Sequence, residues 1–157
     1  MAMTRANARE LAVHLIYSRN FTGEEPRQEV SLRLEKEYYA QLAAENDVYN
    51  QRPNSAQLTY IDSVVSGVAN REDELNALIQ KYSIGWDVTR ISRLARSILQ
   101  LALFEIQFVE DVPTGVAVNE AVRIAKKYDG NDTGSFVNGI LGSFARSLET
   151  PAVEEEK

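Results

Sequence analysis

The chain has 157 residues, 44% of them hydrophobic and 25% charged, with a formal net charge of -6 and only 8 Gly and 4 Pro. A chain of this length buries about 68–70% of the surface its unfolded form exposes, so collagen-like, wholly disordered and mini-protein classes are excluded. With no Cys and one His (His14), disulfides, thiolate nucleophiles, Cys-based zinc sites and multi-histidine metal centres are excluded as well, and no cofactor is expected.

The N-terminus, MAMTRANAREL, lacks a signal peptide's apolar run, and no stretch approaches the ~18 apolar residues of a membrane span. A cytoplasmic protein with no membrane contact is expected. The acidic total is unevenly spread: residues 149–157 carry four Glu against one Lys, whereas residues 1–20 hold Arg5, Arg9 and Arg19 against Glu10 alone. Further cations group at Arg90, Arg93 and Arg96 and at Arg123, Lys126 and Lys127. A local basic surface is therefore compatible with an acidic protein.

In chain order, Ala8, Leu11, Ala12, Leu15 and Ile16 share one helical face and predict a helix over 5–19 with Thr4 as N-cap. Pro26 suits the first turn of a second helix carrying Val30, Leu34, Tyr38 and Leu42, and the polar run 45–55 predicts a loop. From Leu58 the apolar steps Ile61, Val65, Val68, Leu75, Ile79 and Tyr82 predict one long helix over 56–82, with Asn70 as a bend.

Asp87 is a candidate cap for the next helix, whose face Ile91, Leu94, Ile98, Leu101 and Ala102 is joined by Leu99, Leu103, Phe104, Ile106 and Phe108. A helix apolar nearly all round belongs in the centre. Pro113 and Thr114 open another helix with Val118, Ala121, Val122, Ala125 and Tyr128 inward. DGNDTG (129–134) has turn chemistry, and a last helix buries Val137, Ile140, Leu141, Phe144 and Leu148. Gly139 and Gly142 leave a stripe for close helix approach. The pattern predicts an all-α bundle of six or seven helices over 1–148, with 149–157 as an acidic disordered tail.

The strings RSILQLALFEI (96–106), DVPTGVAVNEAVRIAKKY (111–128) and SFVNGILGSFARSL (135–148) closely resemble the C-terminal half of the NusB family of bacterial transcription antitermination factors, and RANARELAVHLIYS (5–18) resembles its first helix. The resemblance covers nearly the whole chain, weakest across 20–57. It implies two three-helix groups packed across each other. It further implies binding of single-stranded boxA RNA from ribosomal RNA transcripts, together with NusE, a small-subunit ribosomal protein, in an RNA polymerase complex that resists termination. No catalysis is implied, and the free protein is expected as a monomer or homodimer.

Arg5 and Arg9, about 40° apart around a helix, are expected to project from one stripe and hold consecutive phosphates, as the family's arginine-rich first helix does. Ala6 and Asn7 stand where many members have further basic residues. Solvated helix arginines are the alternative. Tyr17 is a candidate stacking platform for an unpaired base or a half-buried anchor, and Tyr82 is open to the same two roles.

The turn with Asn131 and Asp132, together with Phe136, matches the family region near bound RNA. Asp132, a candidate cap with Thr133 as rival, repels phosphate, so Asp132→Asn is expected to tighten RNA binding in an anisotropy titration. Arg93, Ala95, Arg96 and Gln100 match the surface that engages NusE, although the family often carries an acidic residue at Ala95 and Arg at Gln100. Glu105, within the most apolar helix, is expected to be a structural pin, because a buried carboxylate must find a donor. Asn138 is expected to pack between helices, Trp86 to cover the core and His14 to pack beside the apolar stripe.

Two other functions compete. One is a purely protein-binding helical module with merely solvated cations. The other is a stand-alone relative of the N-terminal domain of ribosomal RNA cytosine methyltransferases, which as enzymes also need a sheet domain, a glycine-rich cofactor loop and a catalytic Cys.

Overall fold

The computed structural model describes residues 3–22, 53–83, 85 and 91–149. They form six helices, α1 (Arg5–Thr22), α2 (Ser55–Asn70), α3 (Glu72–Tyr82), α4 (Arg93–Phe108), α5 (Thr114–Asp129) and α6 (Asn131–Glu149), and no strand occurs among them. The helix expected after Pro26, the loop over 45–52, Trp86, Asp87 and the tail beyond 149 lie outside the described residues. No helix among those described is long and apolar enough to cross a membrane.

Helix starts follow local chemistry. The Thr4 hydroxyl accepts the Asn7 N–H at 3.1 Å, as expected of a cap. Asn54 and Gln57 form a reciprocal capping box at α2, with the Asn54 side chain accepting the Gln57 N–H at 3.0 Å. Ser92 caps α4 by accepting the Ala95 N–H at 3.0 Å.

The chain divides into two units, residues 1–72 and 73–157. In the first, α1 packs on α2, burying Leu11, Ala12, Leu15 and Ile16 along with Ile61, Val64, Val65 and Val68. In the second, α4 packs on α5 and α6, and α5 packs on α6. Residues 97–105 of α4 are buried without a gap, so this helix is enclosed on every side, as its all-round apolar pattern predicts.

The expected long helix over 56–82 is two helices. Arg71 leaves helical geometry (φ -120°, ψ 21°), and its N–H closes α2 onto the Gly67 and Val68 carbonyls. The turn expected over 129–134 shrinks to Gly130, whose φ of 95° suits glycine and lets α5 pass directly into α6. Leu148 is 54% exposed and not part of the core. Among the described residues a Cβ at Gly139 would meet nothing within 4 Å, and one at Gly142 would meet Arg146 of the same helix, so none of them approaches the expected stripe closely.

Candidate nucleic-acid interface

At the start of α1, Arg5 is half-buried and its guanidinium carbon lies 4.3 Å from the ring centroid of Tyr60 on α2. Tyr60 is buried, with Arg5 over its ring. A guanidinium over a ring is held there by cation–π attraction, and Arg5 is engaged by a further interaction within the fold while staying half-exposed. Tyr60 was not singled out from the sequence. The available signal was its i, i+4 relation to Val64, hidden because Leu58, which is 38% exposed, fits the periodic pattern better.

Arg9 corrects an expectation. It is only 4% exposed, with its guanidinium carbon 5.9 Å from the same Tyr60 ring. Residues 8–13 of α1 are all buried, which encloses the helix over that stretch and takes Arg9 and Glu10 inside. Both are engaged within the fold. Only Arg5 of the expected pair reaches the surface.

Tyr17 is half-buried, about 18 Å along the helix axis from Arg5. Arg19 forms a partly exposed ion pair with Glu72 at 3.6 Å, which offsets its charge locally. His14 is half-buried, as a packing residue would be.

In the second unit Tyr82 packs edge-on against Phe144, with centroids 5.5 Å apart, and the Lys81 ammonium lies 5.4 Å from its ring. Asn131 and Asp132 are exposed in the first turn of α6. Asp132 is therefore inside the helix and not its cap, while the Thr133 hydroxyl donates to Asp129 at 3.1 Å. An acidic residue in a first helical turn interacts favourably with the helix dipole. The expected Asp132→Asn gain in RNA affinity should thus accompany a stability loss of about 0.3–1 kcal/mol, visible as a lower urea midpoint. Phe136 is only 7% exposed, a second correction: its ring lies on the same buried face as Val137 and Ile140 and offers no open platform for a base.

Of the expected partner residues, Arg93 is exposed and Arg96 half-buried, whereas Ala95 and Gln100 are buried, 2% and 3% exposed. The cause is α4's enclosure and Asn76 on α3, whose Oδ1 accepts from Gln100 Nε2 at 2.9 Å and from Arg96 Nη1 at 3.3 Å. The Gln100 amide is thus spent inside the fold, and the sequence carried no signal for Asn76. Asn76→Ala should cost about 1–3 kcal/mol by stranding the buried amide, read as a lower urea midpoint with an unchanged m-value.

Glu105 is fully buried and engaged within the fold, as a structural pin requires, whereas Asn138 is exposed and does not pack between helices. Among the described residues no group of His, Asp and Glu is arranged to hold a metal ion.

The model of the NusB family matches residues 6–146, from the first described helix through the last. The chain belongs to the NusB family. A relative from Acetivibrio thermocellus, a transcription antitermination protein NusB, is 36% identical over 144 residues, covering 92% of this chain and 90% of the relative. The fold is similar to that of T. maritima NusB, with a TM-score of 0.75, 26% identity and 93% of each chain covered. It is also similar to a chain in a crystal structure of the antitermination factors NusB and NusE in complex with dsRNA, with a TM-score of 0.71 and 22% identity, covering 94% of this chain and 99% of that one. The all-α NusB fold expected from the sequence is the fold observed.

Proposed function

We infer that this chain is a transcription antitermination protein, a non-catalytic cytoplasmic adaptor that holds boxA-type single-stranded RNA together with NusE within an RNA polymerase complex. The observation that carries the reading is the extent of the family match, which runs through every described helix. The antitermination relative covers nearly the same length. At 22% identity the structure with NusE and dsRNA speaks to the fold, and its partners come to this chain as part of the proposal.

The reading assigns RNA contacts to Arg5 and Tyr17 in the first unit and to Tyr82, Asn131 and Asp132 in the second. Arg93 and Arg96 are assigned to NusE. The seated Arg5 supports the assignment, since a guanidinium held on an aromatic ring loses little freedom when it meets a phosphate.

The burial of Arg9 thins the cationic stripe and favours, as a second reading, a module that binds protein alone. Titration of a boxA RNA oligomer with and without NusE, at two salt concentrations, separates the two. RNA held through Z phosphates loses affinity with a log–log salt slope near ~0.7Z. Binding with such a slope is expected, and a salt-insensitive protein that takes up NusE but no RNA would establish the protein-only module.

A further inference from the structure

Three cations cluster late in α5, and the structure gives them different surroundings. Arg123 is paired with Glu120 on its own helix, Nε to Oε2 at 2.8 Å. The Lys127 ammonium lies 5.2 Å from the Tyr128 ring. Lys126 is exposed and makes no ion pair or hydrogen bond among the described residues.

Its stem, however, is held. A Cβ built on Gly134 would lie 2.6 Å from Lys126 Cγ, 3.1 Å from Cε and 3.4 Å from Cδ, so the lysine chain lies flat across the bare backbone of α6's first turn. Cε lies 3.1 Å from that Cβ position, so the ammonium one bond beyond it stays beside the first turn of α6. Any side chain at Gly134 would push the stem off, because the 2.6 Å contact falls in the middle of the lysine chain and not at its mobile tip.

A lysine normally loses considerable rotamer freedom when its head is fixed by a ligand. Here the fold has already restricted the stem while leaving the charge exposed. Packing accounts for the stem, and it leaves the charge exposed and pre-positioned where an anion can reach it. We propose that Lys126 is a phosphate-binding residue of the RNA surface and that Gly134 is the positioning residue that seats it. The proposal rests on the RNA reading above and adds two residues to it.

The test uses the full chain and a single-stranded boxA RNA oligomer, titrated by fluorescence anisotropy at several salt concentrations, with thermal melts alongside. Lys126→Met keeps most of the stem and removes the charge. It is expected to weaken binding about fivefold at moderate salt and to lower the log–log salt slope by about 0.7, one phosphate's share on a single strand. Gly134→Ala is expected to weaken binding in the same way, with alanine's better helix propensity set against the strain of displacing the stem. The double variant should bind no more weakly than Lys126→Met.

An unchanged slope in Lys126→Met, with the unmodified protein binding normally, overturns the proposal and leaves the RNA reading standing. So does a Gly134→Ala loss that adds in full to the Lys126→Met loss, because the glycine would then act by another route. Absence of salt-dependent RNA binding in the unmodified protein overturns both.

Discussion

Replacing Glu105 with alanine is expected to lower stability by about 3–5 kcal/mol while RNA affinity, measured well below the melting temperature, stays unchanged. The carboxylate has 0% exposure in the middle of α4 and is engaged within the fold. A carboxyl group at that depth must be matched by its surroundings, and truncation removes the group they are matched to. The same change empties the volume of the side chain inside a helix enclosed on every side, which adds a cavity cost. For a chain of this size about 1 kcal/mol corresponds to roughly 2–4 °C, so a thermal melt should fall by roughly 10 °C. A fall below about 2 °C would show that Glu105 is not the pin its burial implies.

Glu105 also shows what the sequence made legible. One carboxylate amid Leu101, Ala102, Leu103, Phe104 and Ile106 can be read as buried and satisfied from periodicity and desolvation alone. The Thr4 cap was legible for a similar reason, since a short oxygen-bearing side chain one residue before a periodic run has a single local use. The break at Arg71 was not legible, because the apolar steps of α2 and α3 continue across it in register. Residues 131–133 misled in a specific way: Asn, Asp and Thr favour turns, yet they also suit a first helical turn, and only Gly130 was needed to change direction.

Side-chain depth was the least legible quantity at the site. Phe136, Ala95 and Gln100 share helices with exposed neighbours, and their burial depends on which other helix lies against them. The glycine that matters for close approach, Gly134, was masked by the more conspicuous pair Gly139 and Gly142. Its role depends on where the Lys126 stem falls, a relation between two helices that no single-helix pattern contains.

Arg5 and Arg9 carry the second large effect, and the structure predicts that they part company. From one stripe they would be interchangeable, each lost charge removing one phosphate contact. As placed, Arg9→Ala removes a guanidinium that is 4% exposed and engaged within the fold, and should cost about 3–5 kcal/mol of stability. Arg5→Ala gives up a half-exposed cation–π contact with Tyr60, worth about 0.5–1 kcal/mol, and a further interaction within the fold, and at that exposure should cost less than Arg9→Ala. Its effect on boxA RNA should be the larger one: binding weakened about tenfold, the worth of a charge-assisted phosphate contact, and the salt slope reduced by about 0.7. Arg9→Met, which keeps volume and removes charge, should leave that slope intact. Melts and salt titrations on the three variants decide the matter, since a stable Arg9→Ala protein with a flattened slope would return Arg9 to the surface and to the RNA.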